Sequence, residues 1–426
     1  MAGFSTKERL IASLLSATPG LKTLVKDIYI RINAAIYKKN YSSKILSDSV
    51  SEIKTVEPQD SNGETFFGYY DKTPMDSGGW VLYNETCGQN TLSLPKADVP
   101  ISINARNLRT GETVEIGKSN SYTWQQGCRA QWLDDDKVIY NCFRNNRYIA
   151  AVFSLSQKKE IRTFEKPVQD SFGTDYFLSI NYGRIMKLRP DYGYRNLPLP
   201  DEREMKNLTD DGIWKVDYES GNIRLVHSLE EIASMGYDSA FDSAQHKVNH
   251  VMISPDGKGF IFIHRYYKGK RRFDRLFYSD FKSLRLISDN QMVSHCCWAD
   301  SNTILGYLRH DDKDGFYTID IDSGTFCGIK PMTDYNHGDG HPSCFGKWTI
   351  FDSYPDKSRM QRLSLYNRET KEITLLAEVF QSVSFKGETR CDLHPRFSMD
   401  GKYAMFDSVF KGKRRLCYIN ISNIIL

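Results

Sequence analysis

Four of the nine histidines, His250, His295, His341 and His394, each stand three residues before the last large apolar residue of a short strand-like segment, or its equivalent. The matching residues in the first two such segments are Tyr69 and Arg129. A loop reading Asn336-His337-Gly338-Asp339-Gly340-His341 adds an amide, a further imidazole and a carboxylate beside one of them. Convergent imidazoles with a carboxylate or amide suit a divalent metal such as manganese, zinc or iron. They equally suit general acid–base chemistry, because histidine titrates near neutral pH. Taken singly, each is accounted for as a hydrogen-bonded structural histidine. His264, Arg265 and Arg275 lie close by in sequence, and arginines beside such a site bind carboxylates of the kind uronic-acid sugars carry. The run Lys268, Lys270, Arg271, Arg272 reads as a hairpin tip in water.

What must position these residues is a repeat. Residues 250–265 (HVMISPDGKGFIFIHR) and 394–407 (HPRFSMDGKYAMFD) are one pattern written twice: a short strand, a Ser/Pro/Asp/Gly turn, then an apolar strand. Degraded copies occupy 68–84, 126–141, 295–307 and 341–352, with a weaker seventh at 178–188. Their spacing of roughly 45 to 70 residues is that of propeller blades. A second element, strand–Asp/Gly/Ser turn–strand, follows at 213–226, 316–329 and 363–376. Four strands per unit and seven units predict an all-β fold, a seven-bladed β-propeller in which the innermost strands line a central channel and gather the histidines at one mouth. The last copy stops near its third strand, so a segment near 51–57 is expected to return and complete it, removing an open edge. The longest gap holds 189–206 and a helix-like 228–236. There Tyr192, Tyr194 and Arg195 either touch a ligand or belong to a solvated loop.

Ahead of the propeller, apolar residues at 21, 24, 25, 28, 32 and 36 recur at helical period, with Lys22, Lys26, Arg31, Lys38 and Lys39 on the remaining surface. Residues 1–45 carry eight Lys/Arg against Glu8 and Asp27, which leaves 49 of the 57 Lys/Arg against 51 of the 53 Asp/Glu in the body. The expected division is therefore a basic amphipathic extension, 1–45, and a propeller, 46–426. The extension, through residues 7–40, suits an anionic membrane surface, or packs on the propeller or a partner. The slightly acidic body argues against nucleic acid. Nine cysteines without a CxxC pair read as reduced, packed residues, and with no signal peptide and no spanning segment the expected location is the cytoplasm, at most peripheral on the inner membrane.

At His-x-x-x-Ser-Pro-Asp-Gly in 250–257, His295 before Trp298, and the polar run 336–341, the chain resembles the oligogalacturonate lyase family and related TolB-like propellers, over roughly residues 60–420 as architecture. That resemblance implies a propeller that binds manganese and cleaves acidic oligo- or polysaccharides by β-elimination. It makes His250 the base and His295, Asn336, Asp339 and His341 the metal ligands, although Asp339 stands where the family would have a histidine. With it go expected catalytic roles for Tyr69, His264 and Arg265, and substrate-binding roles for Arg129, Tyr192, Arg195, Arg275 and His394. The basic helix is not part of the lyase pattern and suggests work on a bacterial surface polysaccharide at the inner membrane. A propeller that only binds glycan or protein within such an assembly is the alternative, since the fold hosts both.

Overall fold

The computed structural model describes residues 19–426 apart from 270, 337 and 426, with side chains from residue 24 onward. Basic residues Lys7 and Arg9, and His337 of the polar loop, lie outside the described residues.

The Ser/Pro/Asp/Gly segments are tight turns held by their own side chains. Ser254 Oγ donates to Asp256 at 2.7 Å and Ser398 Oγ to Asp400 at 2.7 Å, while Gly257 N and Gly401 N donate back to the serine carbonyls at 2.9 Å. The second turn is as regular: Asn107, Asp217, Asp320 and Asn367 each accept from the backbone two or three residues on. These side chains turn the chain back on itself, and the apolar strands between them pair as antiparallel meanders.

Seven sheets result, at 65–119, 131–164, 170–228, 245–288, 293–328, 343–380 and 396–420. As expected, the last is completed from the other end of the chain: Lys54–Thr55 pairs with Arg415–Asn420, Lys54 opposite Tyr418. One further closure was not foreseen. Ser43–Ile45 adds a fifth strand to the sixth sheet, opposite Ala377–Val379, although it falls on the extension side of the expected boundary. The weak copy at 178–188 is displaced: Tyr176–Ile180 is a strand, but Tyr182–Leu188 is a helix capped by Asn181, and the innermost strand of that blade is Asp170–Phe172.

Gly257 and Gly401 occupy matching turns at φ +70° and +75°, and a Cβ would meet Phe172 at 2.5 Å or Phe345 at 2.2 Å, each from the preceding blade. Gly346 has φ +51° with nothing near. Gly401→Ala is therefore expected to lose about 3 kcal/mol in urea unfolding, from backbone strain plus the clash, and Gly346→Ala only about 1 kcal/mol. Equal losses would show that the close approach to Phe345 contributes nothing.

Helix α1, Pro19–Ile36, lies with its polar side toward the propeller, where Asp27 forms an ion pair with Lys386. Its apolar residues face out: Leu24 is 56 % exposed, Ile32 53 % and Ile36 69 %. Packing of the apolar stripe on the propeller wall is thus ruled out for residues 24–36. No helix among the described residues is long and apolar enough to cross a membrane.

Candidate metal and proton-transfer site

The innermost strands deliver the four histidines to one place. Ring centroids lie 5.6 Å apart for His250 and His295, 4.1 Å for His295 and His341, and 4.4 Å for His341 and His394. Tyr69 closes the ring, 5.2 Å from His250 and 4.9 Å from His394, and Tyr70 packs inside it against His295, His341 and His394. Local backbone irregularity aims these side chains. Pairing slips between Asn249 and Met252 and between Val293 and Cys296, so His250 and His295 sit in bulges, which redirect a side chain from the sheet face. His250, His394 and Arg129 share a left-handed backbone, φ 52°, 46° and 58°. Such strain costs about 1–3 kcal/mol per residue and persists where the surroundings impose it.

His341 and His394 are each fixed through Nδ1 and open at Nε2. His341 Nδ1 lies 3.0 Å from both oxygens of the buried Asp352 carboxylate, and His394 Nδ1 lies 3.0 Å from the Gly68 carbonyl. Both Nε2 atoms are buried with no hydrogen-bond partner among the described residues. One ring nitrogen of each histidine and a carboxylate oxygen of Asp392 lie within 4.8 Å of one another. A carboxylate or carbonyl holding the far nitrogen of each imidazole is the usual support of a histidine metal ligand. The donor set is imidazole and carboxylate, so these residues fit a divalent cation such as manganese or zinc. Burial opposes the charged form of His341, but Asp352 outweighs it and raises its pKa. His394 is driven well below the ordinary value by burial and by His341.

His295 lies beside them, its Nδ1 3.1 Å from Asp339, whose other oxygen accepts from Ser294. Asn336, implied as a ligand by the resemblance, is not brought to the donor set. Its amide nitrogen donates to the carbonyls of Gly338, Asp339 and Asp352, at 3.0–3.3 Å, and so shapes the loop.

His250 faces a different partner. The Tyr69 hydroxyl lies 2.6 Å from its Nδ1, and the ring is held neutral, its pKa pushed well down by burial and then by Arg265. Arg265 is near enough to act electrostatically, but its guanidinium is paired with Asp274 at 2.8 Å. His264 and Arg275 are not part of the site. His264 stacks on His246 and is bonded to it at 3.0 Å, and Arg275 packs over Phe241 and donates to the Met235 carbonyl. His264 alternates with Arg265 along one strand and Arg275 stands opposite His264 on the next, so both point to the other face of the sheet from Arg265. Arg129 is engaged by Asp71 at 3.0 and 2.7 Å and by the Gln169 carbonyl, so its charge is spent on the fold.

The 189–206 insertion is no solvated loop around its tyrosines. Tyr192 and Tyr194 are 3 % and 1 % exposed, and the Tyr192 ring lies 5.7 Å from Tyr69 and 6.1 Å from His250. Arg195 forms an ion pair with Glu388. Arg390, at 2.8 Å from Asp191 and 2.6 Å from Asp392, ties the insertion to the metal-type cluster.

Sequence reasoning missed Asp352, Asp392, Tyr70, Arg390 and Lys247, a buried lysine beside Arg265 whose Nζ has no hydrogen-bond partner among the described residues. A signal existed for Asp352. Tyr83-Asn84, Tyr140-Asn141, Phe351-Asp352 and Phe406-Asp407 put Asn or Asp at one repeat position, and each ties backbone that flanks an innermost strand: Asn84 to Phe67, Asn141 to Val168, Asp352 to His341 and His394, Asp407 to Phe67 and Gly68.

No protein-family model and no curated protein matches the chain. Solved structures do. An oligogalacturonate lyase in complex with manganese superposes with TM-score 0.57 at 15 % identity, over 89 % of this chain and 98 % of that one. An oligogalacturonate lyase from Vibrio parahaemolyticus gives 0.55 at 15 %, over 90 % and 99 %. TolB from Acinetobacter baumannii gives 0.41 at 14 %, over 73 % and 65 %. The chain is thus a seven-bladed β-propeller that resembles the oligogalacturonate lyases in fold over nearly its whole length.

Proposed function

We propose that the protein is a metal-dependent, carbohydrate-active propeller that cleaves a uronic-acid-containing glycan by β-elimination. The observation that carries this reading is the pair of unpartnered Nε2 atoms on His341 and His394 beside Asp392, each imidazole fixed from behind. The manganese in a structural neighbour supports it. His341, His394 and Asp392 would hold the ion, with His295 adjacent. Its contribution when bound is charge neutralisation beside the uronate carboxylate, which acidifies the C5 hydrogen.

The chain's own residues supply the rest. His250 is neutral and accepts a proton at Nδ1. Tyr69 relays it: as the phenolic hydrogen passes to His250, the phenolic oxygen takes the C5 hydrogen. The C5 electron pair forms the C4–C5 double bond as the C4–O bond breaks, the departing sugar oxygen takes a proton from water at the channel mouth, and His250 afterwards returns its proton to solvent. Burial around Tyr69, Tyr70 and Tyr192 keeps water from the reacting carbon. The reading is tested by incubating the manganese-loaded protein with a panel of acidic polysaccharides and following the ultraviolet absorbance of the unsaturated uronate. Binding without new absorbance on every polymer would favour the glycan-binding scaffold instead.

The same reading places helix α1 on an anionic membrane. Its outward stripe Leu24, Val25, Ile28, Ile32 and Ile36 is followed by exposed Lys38 and Lys39. A chain beginning at residue 41 keeps the strand Ser43–Ile45 and is expected to melt at an unchanged temperature. It should lose most co-sedimentation with phosphatidylserine vesicles. Equal sedimentation of both chains would take the helix off the membrane.

A further inference from the structure

Helix α1 does more than offer an outward face. Between its inner side and the propeller mouth lies a cavity of about 460 Å3, within the size range of small-molecule sites. Its floor is the functional cluster: Asp392, Asp339 and Tyr354 line it, and the Tyr354 ring stands 5.6 Å from His341. Its roof is the helix, through Lys26, Asp27, Ile30 and Arg31.

The charges in this space are unequal in their freedom. Asp27 is taken by Lys386 and Asp392 by Arg390, while Arg359 is turned to Gln381. Lys26 and Arg31 border the cavity and, after Lys386, help to lower the pKa of Asp27, but neither forms an ion pair among the described residues. Cations left unpaired at the rim of a site whose floor would hold a metal favour a ligand that carries negative charge at more than one point along its length.

We propose that this cavity is the binding cleft for a polyanionic chain, and that helix α1 is one of its walls, with Lys26 and Arg31 holding an acidic sugar outside the one at the cluster. This rests on the lyase reading and adds to it a segment that the lyase pattern lacks: the N-terminal helix takes part in recognising the substrate. The Asp27–Lys386 ion pair fixes the helix over the mouth.

The test uses the full chain loaded with manganese, a galacturonate trimer and a glucuronate-containing tetrasaccharide as probes, galacturonate monomer as control, and calorimetry as readout. The double variant K26E/R31E is expected to bind whichever oligomer the wild type prefers about ten-fold more weakly, with the effect shrinking in added salt. Monomer affinity and manganese affinity should not change. D27K, which repels Lys386, should weaken the oligomer similarly, and D27K/K386D should restore it. Unchanged oligomer affinity in K26E/R31E overturns the cleft while leaving the lyase reading in place. A wild type that binds neither oligomer overturns both. All three variants alter surface side chains, so an unchanged melting temperature excludes misfolding as the cause.

Discussion

Replacing His250 is expected to reduce turnover by about 1,000-fold while substrate and manganese affinity stay within a few-fold, since a base lowers the barrier more than it contributes to binding. The choice of replacement matters. His250 has φ 52°, a conformation that alanine tolerates poorly and asparagine better, so H250N separates the chemistry from backbone strain. Tyr69→Phe removes the relaying hydroxyl but leaves the ring packed against His250, Tyr70, Tyr192 and His394, and should cost about 100-fold in kcat with little change in stability. Single-turnover kinetics on the best polymer of the panel checks both. If H250N retains full kcat, the proton leaves by another route. If both variants lose affinity and kcat together, the Tyr69–His250 pair holds the fold of the channel rather than the reaction.

The repeat was readable because each turn is made of local chemistry. Ser254 with Asp256 and Ser398 with Asp400 close their turns within a few residues, so their composition announces them without reference to the rest of the molecule. Closure by residues near 51–57 followed from counting strands. The convergence of His250, His295, His341 and His394 followed from register alone, because a propeller places equivalent positions around one axis. What the sequence left hidden was whatever depends on neighbours distant in sequence. Arg129 is spent on Asp71, Asn336 on three carbonyls, and His264 on His246. None of these partners is set by the repeat. Tyr192 and Tyr194 looked like loop residues because an insertion has no periodicity from which burial can be read. The strand Ser43–Ile45 has a polar, lysine-bearing sequence that its edge position permits and that no strand pattern would select. Asp392 escaped because it lies two residues before His394, where the repeat carries no signal.

That last residue decides between two ligand sets. The resemblance implies His295, Asn336, Asp339 and His341, whereas the geometry favours His341, Asp392 and His394. H394N, which suits the left-handed backbone at φ 46°, and D392N are each expected to weaken manganese binding by more than about 100-fold, read by calorimetry or by the electron paramagnetic resonance of the free ion. Asp352→Asn removes the anion behind His341 and should cost about 10–100-fold without removing a ligand. Backbone amides of His341 and His394 also bind that carboxylate, so part of the loss will appear as lowered stability, and the amide variant keeps an acceptor for them. Asn336→Ala is the contrast. It frees three carbonyls in the loop and should lower the melting temperature, yet leave manganese affinity within about three-fold, because these contacts tie its side chain to the loop backbone rather than to the donor set. The opposite pattern, metal lost in N336A and retained in H394N, would mean that the loop rearranges around the ion and that the ligand set implied by the resemblance is the true one.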